Sequence, residues 1–376
     1  MIPSKSLTIR PLFSIWKKPY AAFPYALTWL AASIISPFYD QAHGGYKANN
    51  QSAYMYNHMC GTGPFVLTEW ENNDHITLTK NLDYWGTPAL PSQVIIRYAE
   101  DYNTRLMAVD SGKADILMGS LVMHYNDLKN DTNIKLDVNP VNLDIEFVGL
   151  NTKMPPFDNK LVRQAFIESF DYNIFINKIL NGLATQPNGP IPQGVPGYNA
   201  SIPKDQFNPS HAKQLLHDAG FSSSNPLKIT LYYGNGDDSQ KTACMLLKQE
   251  IESYDQSYSV DVQTLDWPIY VQKQQNRQLP IYFSGWMADY ASADNFIGPF
   301  YLGTSQGVFA PQLLYNNTEI NDIYLSALYE TNLTKQSDQY NQIVTLGKSD
   351  YVYIFMTQPY GVYAYRPNVH GIIKNW

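Results

Sequence analysis

The chain has 376 residues, of which 44% are hydrophobic and 16% charged, and its formal net charge is −7 at pH 7. This length and apolar content are sufficient for two domains with cores of their own. The negative charge and the lack of a lysine and arginine cluster in the sequence argue against any nucleic-acid partner. The 2 cysteines and 7 histidines show no metal-ligand spacing, so neither a metal nor a cofactor is expected.

An apolar run occupies residues 24–38 and is preceded by Lys17 and Lys18. It superficially resembles the start of a signal peptide, but Pro24 and Pro37 bracket it and no small-residue cleavage pattern follows. A run of about 15 residues is also too short to span a bilayer. We therefore expect an interior helix here.

The region from residue 63 to residue 102 is predicted to be mainly β. Short runs of apolar and β-branched residues at 65–67, 76–79 and 94–98 are separated by turn residues, which is typical of strands. A short helix is expected to follow at 103–111.

A further strand is predicted at 145–150. After it, either Asp158 or Asn159 is expected to cap a helix whose apolar residues recur at helical spacing as far as Phe170. A cleaner helix is predicted to begin after Asn208, with proline allowed in its first turn, and to end near residue 220, a glycine.

The chain then alternates between strand and helix patterns. Strands are predicted at 228–233, 260–265 and 280–284, and the helices between them at 239–254 and 268–276. This βαβαβ order favours a mostly parallel sheet with helices on its faces.

Aromatic residues and one carboxylate follow these strands. Trp267 comes just after the second strand, and Trp286 and Asp289 come at the end of the third. Because open α/β sheets hold ligands beyond the carboxyl ends of their strands, these three side chains are expected to line one crevice. Asp289 has a second interpretation as the cap of a helix beginning near residue 291, with Asp294 and Asn295 as turn residues.

Five motifs occur in one order along the chain: G-T-G-P-F at 61–65, N-L-D-Y-W at 81–85, N-T-K-M-P-P-F-D at 151–158, V-R-Q-A at 162–165 and G-P-I-P at 189–192. Together they resemble the family 5 extracellular solute-binding proteins, which are the oligopeptide and dipeptide receptors of ABC importers. The similarity extends through most of the chain.

The resemblance implies an α/β, two-lobed, periplasmic-binding-protein-like (type II) fold, with mixed sheets and hinge crossovers. It divides the chain into a remnant of the smaller amino-terminal subdomain at 1–56, part of the first, hinge-side lobe at 57–148, the second α/β lobe at 149–356, and a return to the first lobe at 357–376. Family members carry a secretion signal and further residues ahead of the matched part. We therefore expect an amino-terminally truncated chain in which the signal or anchor is not present.

The function implied by the resemblance is that of an extracytoplasmic substrate-binding component of an ABC transporter. Such a protein captures peptides by closure of its lobes and delivers them to permease subunits. It is expected to be a monomer and not an enzyme. No G-x-S-x-G motif or supported pair of acidic residues in the sequence favours catalysis.

The resemblance also implies roles for individual residues. Asp289 stands where peptide-binding members place the aspartate that pairs with the α-ammonium group of the ligand. Gly285, Trp286 and Met287 lie on the strand whose backbone pairs with the peptide, a mode that tolerates many ligand sequences. Trp267 matches an aromatic residue of the cleft.

Two alternatives remain open. Tripeptide-binding members place an arginine where this chain has Phe283, and some relatives bind oligosaccharides, for which Trp267, Trp286 and Tyr290 with an acceptor carboxylate would serve through stacking and hydrogen bonds. The other alternative is a truncated paralogue that does not bind a ligand.

Overall fold

A computed structural model of the protein describes residues 18–33, 35–45, 52–54, 58–304 and 307–373. Lys17 and other parts of the predicted segment 1–56 lie outside the described residues, as do residues 374–376 of the last predicted segment. The division of the chain at 56, 148 and 356 remains a prediction. Within the described part, no helix combines the length and the apolar character needed to cross a membrane.

The strands of the described residues are β1 (Phe65–Glu71), β2 (His75–Lys80), β3 (Gln93–Arg97), β4 (Ile116–Leu117), β5 (Lys135–Asn139), β6 (Asp144–Leu150), β7 (Ala184–Thr185), β8 (Lys228–Gly234), β9 (Ser259–Leu265), β10 (Ile281–Met287), β11 (Tyr353–Pro359) and β12 (Gly361–Tyr365). The α-helices are α1 (Phe23–Ala26), α2 (Pro37–Ala42), α3 (Tyr102–Asp110), α4 (Tyr125–Leu128), α5 (Lys160–Glu168), α6 (Tyr172–Ile174), α7 (Pro209–Asp218), α8 (Asp238–Tyr254), α9 (Trp267–Gln275), α10 (Asp294–Tyr301), α11 (Phe309–Gln312), α12 (Thr318–Leu328) and α13 (Leu333–Ser349). A 3-10 turn lies at Leu30–Ala32 and a π-helical turn at Phe175–Ile179.

The largest sheet has the strand order β7-β11-β6-β10-β8-β9. As predicted, the strands of the βαβαβ unit are parallel, since β8 pairs in parallel with both β9 and β10. The pairs β10–β6, β6–β11 and β11–β7 are antiparallel. The prediction of a mostly parallel sheet is therefore wrong for the sheet as a whole, because β6 and β11 join it from distant parts of the chain. The prediction of mixed sheets is confirmed.

Both faces of this sheet are covered. Successive side chains of a strand point to opposite faces. In β6, Val148 packs into the core shared with α5, α7 and α8, and Phe147 packs into the core shared with α10, α12 and α13. The second core is rich in aromatic rings, and Phe147 contacts Phe300 edge-on with ring centroids 4.8 Å apart. The strand near the middle of the sheet is thus fixed from both sides.

A smaller sheet of order β4-β12-β5 packs with α3 around Val109, Leu117 and Ala364. The chain passes between this sheet and the large one at 139–144 and again at 359–361. The two passages lie side by side, because β12 pairs with β5 just as β11 pairs with β6. They form the paired crossovers that a hinge between two lobes requires.

The third sheet, of order β1-β2-β3, is antiparallel and largely exposed. The amino-terminal segment also differs from the prediction of an interior helix. It forms α1, a 3-10 turn and α2, with Leu30 86% and Phe38 84% exposed. The prediction is wrong because Pro24 and Pro37 each occupy the first turn of a separate short helix.

The helix boundaries follow local capping chemistry. The Asn159 side chain, and not that of Asp158, accepts a hydrogen bond from the Leu161 amide and caps α5. Phe170 lies beyond the end of α5 but is fully buried in the core. Asn208 caps α7 as predicted.

We predict that Gly347→Ala destabilises the protein although it lies within α13. Alanine is favoured over glycine in a helix by about 1 kcal/mol. Here, however, an added methyl group would overlap the buried Tyr301 ring, and overpacking a core costs about 1–3 kcal/mol. Urea unfolding followed by circular dichroism is expected to show a net loss of up to about 2 kcal/mol, the difference of the two effects.

The control is Thr345→Ala at an exposed position of the same helix. It is expected to change the free energy of unfolding by less than about 0.5 kcal/mol. A Gly347→Ala variant that is more stable than the parent protein would contradict the packing of α13 on α10.

Candidate functional site

The large sheet opens between β8 and β10 near the carboxyl ends of these strands. β10 pairs with β6 along its whole length, but with β8 only through Tyr282 and Tyr232. The Tyr270 hydroxyl, from α9, accepts a hydrogen bond from the Phe283 amide (2.9 Å) and lies 3.0 Å and 2.8 Å from the carbonyl oxygens of Tyr232 and Phe283. Beyond this point, residues 284–287 have no strand partner on the β8 side within the described part of the chain.

The predicted strand residues lie along this open edge. Gly285 and Met287 are exposed, and Met287 is 60% exposed. The Trp286 side chain points to the opposite face of the sheet from the Met287 side chain. Its indole Nε1 donates to the carbonyl oxygen of Asn295 (2.7 Å), and its ring contacts Phe309 edge-on with centroids 5.6 Å apart. Trp286 is therefore half-buried in packing, whereas the strand on either side of it is accessible.

Asp289 follows the end of β10 and is oriented by Asn295. The Asn295 side chain accepts a hydrogen bond from the Asp289 amide (2.8 Å) and donates one to Asp289 Oδ2 (3.2 Å). Asp289 Oδ1 makes no hydrogen bond to the rest of the described structure. The carboxylate is thus held in place with one oxygen available.

The two turn predictions near Asp289 are wrong. Asp294 and Asn295 are the first residues of α10 and are buried. Because α10 begins at Asp294, Asp289 does not cap a helix near residue 291. The apolar side chains of α10 pack in the aromatic core on the sheet. As a consequence, the polar residues at the start of this helix are buried as well.

Tyr290 belongs to a cluster of hydroxyl groups around Asp294. Both Tyr290 and Tyr20 donate hydrogen bonds to Asp294 Oδ2, at 2.8 Å and 2.6 Å. Burial, together with the Asp294 carboxylate, raises the pKa of both tyrosines above the usual range. The cluster joins the amino-terminal segment to the start of α10, so the Tyr290 hydroxyl is occupied by an internal contact.

Trp267 begins α9 at the same edge of the sheet and is 56% exposed. It lies beside the end of β8, where a side chain on Gly234 would come within 3.2 Å of its ring. Its ring contact is with Tyr270, while that of Trp286 is with Phe309. The predicted residues thus share one edge of the sheet, but the two indoles do not form a single stacking surface.

Two acidic residues that the sequence analysis did not select lie beside Gly285 and Met287. In the register of the sheet, Asp144 is opposite Met287 and Glu146 is opposite Gly285. The Thr357 hydroxyl donates to Glu146 Oε2 (2.9 Å). The sequence did contain a signal for these two residues. Asp144 and Glu146 alternate with apolar residues in a strand that is buried on both faces, where acidic side chains are unusual.

Both acids are partly buried, which disfavours their charged forms. Burial, helped by the nearby Asp144 and Asp237, raises the pKa of Glu146 to about 8. Burial also raises the pKa of Asp144 to about 6. Asp237, which caps α8, has a raised pKa for the same reason.

The loop between β8 and α8 also contacts the part of the chain that precedes the first crossover. Asn235 Nδ2 donates to Glu100 Oε1 (2.8 Å). His124 Nε2 lies 4.0 Å from Asp238 Oδ2, and burial lowers the pKa of this histidine. These contacts connect the segment before the first crossover to the start of α8, next to the carboxyl end of β8.

Metal binding finds no support in the side chains of the described residues. No group of three or more histidine, cysteine, aspartate or glutamate residues in that part of the chain has the arrangement of a metal site. Cys60 and Cys244 are both free thiols. The arrangement offers instead an open strand edge, an oriented carboxylate and further acids, which are groups suited to a peptide or another polar organic ligand.

Comparison with known proteins agrees with this geometry. A family profile, described as bacterial extracellular solute-binding proteins, family 5 Middle, matches residues 15–307. The probable D,D-dipeptide-binding periplasmic protein DdpA of Escherichia coli (strain K12) is 24% identical over 358 residues, which cover 95% of this chain and 68% of that protein. Heme-binding protein A of Haemophilus influenzae is 24% identical over 317 residues, covering 84% of this chain and 57% of that protein.

Among solved structures, the ABC transporter-associated periplasmic binding protein DppA from Helicobacter pylori, in complex with the peptide STSA, is similar with a TM-score of 0.83. The two are 25% identical, and the match covers 94% of this chain and 68% of that one. The chain spans 57% to 68% of the length of the two curated relatives. The predicted periplasmic-binding-protein-like fold is confirmed, and the chain belongs to family 5 of the bacterial extracellular solute-binding proteins.

Proposed function

We propose that this chain is the extracytoplasmic substrate-binding component of an ABC importer and that its ligand is an oligopeptide or dipeptide. The observation that carries the proposal is the open edge of β10, which ends at the oriented carboxylate of Asp289. Two of the three similar proteins described above bear peptide ligands in their names or titles. Permease subunits are the partners that this family membership suggests.

Peptide binding uses the backbone and the carboxylate together. Residues 284–287 offer main-chain groups on the side where β8 has diverged, so an extended peptide adds there as a strand. Asp289 Oδ1 then accepts a charge-assisted hydrogen bond from the α-ammonium group of the peptide. This pairing fixes the direction of the peptide while leaving its sequence largely free.

An oligosaccharide is less well accommodated. Stacking on a sugar requires exposed aromatic faces, and of the three aromatic residues expected to supply them only Trp267 is mainly exposed. Trp286 packs against Phe309, and the Tyr290 hydroxyl is bonded to Asp294. These internal contacts favour the peptide.

Capture proceeds by closure about the paired crossovers. The Gln358 side chain donates to the carbonyl oxygen of Asn142 (2.8 Å) and so links the two passages between the sheets. A ligand that contacts both lobes favours the closed arrangement by the contacts it makes only there. When the closed lobes open again at the permease, the ligand is released to it.

We predict that Asp289→Asn weakens peptide binding by about 10- to 100-fold, since a hydrogen bond to a charged group contributes about 1.5–3 kcal/mol. Asparagine has nearly the same shape and keeps the contact with Asn295 possible. Calorimetric titration of short peptides, selected by a thermal-shift screen of a di- to hexapeptide mixture, measures the effect.

Two controls separate the ammonium contact from general damage. N-acetylated versions of the same peptides should bind the parent protein weakly and bind Asp289→Asn equally weakly. Asp322→Asn, at an exposed position of α12, should bind like the parent protein. Equal affinity of parent and Asp289→Asn for free peptides would contradict the role of Asp289, and a thermal shift with oligosaccharides alone would contradict the peptide ligand.

We also predict that Tyr270→Phe destabilises the protein by about 1–3 kcal/mol, because it leaves the buried Phe283 amide without its hydrogen-bond acceptor. Urea unfolding measures this loss. Tyr258→Phe is the matched control, since the Tyr258 hydroxyl makes no hydrogen bond within the described structure. If both variants are as stable as the parent protein, the Tyr270 hydroxyl does not hold the gap between β8 and β10.

A further inference from the structure

Three carboxylates lie together at the open edge of β10, apart from Asp289. We call them the acid pocket: Asp144 and Glu146 on β6, and Asp237 at the start of α8. Their charges affect one another, since Asp237 contributes to the raised pKa of both Asp144 and Glu146. Asp144 and Glu146 lie on the face of the sheet on which α8 packs, and Asp237 caps that helix.

Glu146 is held in place by neighbouring hydroxyl groups. Thr357 Oγ1 donates to Glu146 Oε2 at 2.9 Å, and Ser239 Oγ approaches the same oxygen at 3.4 Å. Glu146 Oε1 makes no hydrogen bond to other described residues. One oxygen of this carboxylate is therefore fixed, and the other is left for a further partner.

Asp144 differs because its carboxylate accepts a hydrogen bond only from the backbone amide of Ile145 within the described structure, although protein encloses most of it. A buried carboxylate with one such bond is costly to keep charged unless it gains a further partner. Gly285 lies beside it, since a side-chain carbon added at Gly285 would lie 3.6 Å from Asp144 Oδ1. Gly285 is exposed and has no side chain, so the space between Asp144 and solvent stays open.

The charged groups around the acid pocket do not neutralise it. Asp238 and Lys241 lie in the first turn of α8, with both residues exposed. From the other lobe, Glu100 contacts Asn235 and His124 approaches Asp238. None of the ion pairs between described residues involves Asp144, Glu146 or Asp237. A ligand placed over Gly285 therefore lies beside carboxyl groups that form no ion pair with the described residues.

We propose that the acid pocket binds an organic cation, a primary ammonium or a guanidinium group, and that the chain therefore selects peptides with a lysine or arginine side chain. This inference rests on the proposed function. A peptide whose α-ammonium group is bound at Asp289 runs back along β10, with each residue advancing about 3.3 Å. The side chain of one of its next residues then reaches Gly285 and the carboxylates beside it. A metal ion is not the expected occupant, because these acids do not have a metal-site arrangement.

Binding of a cation is linked to release of a proton. With a pKa of about 8, Glu146 is mostly protonated at neutral pH in the absence of ligand, whereas Asp144, at about 6, is mostly charged. A cation favours the charged form of Glu146 and displaces its proton. Affinity for the cation should therefore rise with pH up to about pH 8, by at most about tenfold per pH unit for one proton.

The same pKa values predict the pH dependence of stability in the absence of ligand. In the unfolded chain both carboxyls titrate near pH 4. Between that pH and the folded values of about 6 and 8, the folded protein holds more protons than the unfolded chain. Stability should therefore fall as pH rises through this window, and Glu146→Gln should reduce the slope in its upper part, as measured by urea unfolding.

The deciding experiment compares matched ligands by calorimetric titration. Alanine tetrapeptides carry lysine at the second, third or fourth position, and their partners carry norleucine, which has a similar length and no charge. Cadaverine serves as an ammonium ligand without a peptide. The proteins are the parent chain, Glu146→Gln, Asp144→Asn, and Asp322→Asn as the control.

The expected result is that one lysine peptide binds the parent chain at least about tenfold more tightly than its norleucine partner, with an advantage that grows with pH. Glu146→Gln and Asp144→Asn should each reduce this advantage, and Asp322→Asn should keep it. Glutamine preserves the shape and the acceptor for Thr357, so a normal melting curve for Glu146→Gln is expected.

The other outcomes separate the two proposals. Equal binding of lysine and norleucine peptides overturns the acid pocket as a cation site and leaves peptide binding intact. Binding of cadaverine, lost in both variants, without binding of any peptide supports the cation site and overturns the peptide ligand. If neither peptides nor cadaverine bind, both proposals are overturned.

Discussion

The Tyr270 hydroxyl between β8 and β10 is the contact on which the candidate site depends. It satisfies the Phe283 amide and reaches the carbonyl oxygens of both strands, so it occupies the place of a direct strand-to-strand hydrogen bond. Unpaired backbone groups are costly in a buried sheet, and without this hydroxyl the two strands would either pair or leave such groups unsatisfied. With it, β10 keeps its partner β6 and is free on the other side near its end.

The packing on both faces of β6 and β10 makes this open edge rigid. Phe147 and Val148 anchor β6 in separate cores, and Trp286 anchors the end of β10 through its bond to Asn295. Asn295 in turn orients Asp289. The same aromatic core therefore positions the strand edge and the carboxylate, which explains why an accessible site lies so close to fully buried residues.

Features decided by neighbouring residues were predictable from the sequence, whereas those decided by distant contacts were not. The βαβαβ unit and the caps of α5 and α7 depend on local patterns and side chains, and they were predicted. The antiparallel entry of β6 and β11 brings residues more than two hundred positions apart into register, as with Glu146 and Thr357. The direction of Trp286 and the burial of Asp294 depend on the same tertiary packing. Glu146 was within a predicted strand, but its hydroxyl partners come from elements far along the chain.

The acid pocket and the hinge share the same strands. Asp144 and Glu146 begin β6 directly after the first crossover, and Thr357 lies on β11 just before the second. The hydrogen bond between Thr357 and Glu146 therefore joins the strands that lead into both crossovers, as the bond of Gln358 to Asn142 does one step further on. A change in the charge of Glu146 alters the interaction with Thr357 at the base of the hinge. Under the two proposals made above, ligand charge and lobe closure act on this one set of contacts, which couples recognition at the strand edge to the equilibrium between open and closed lobes.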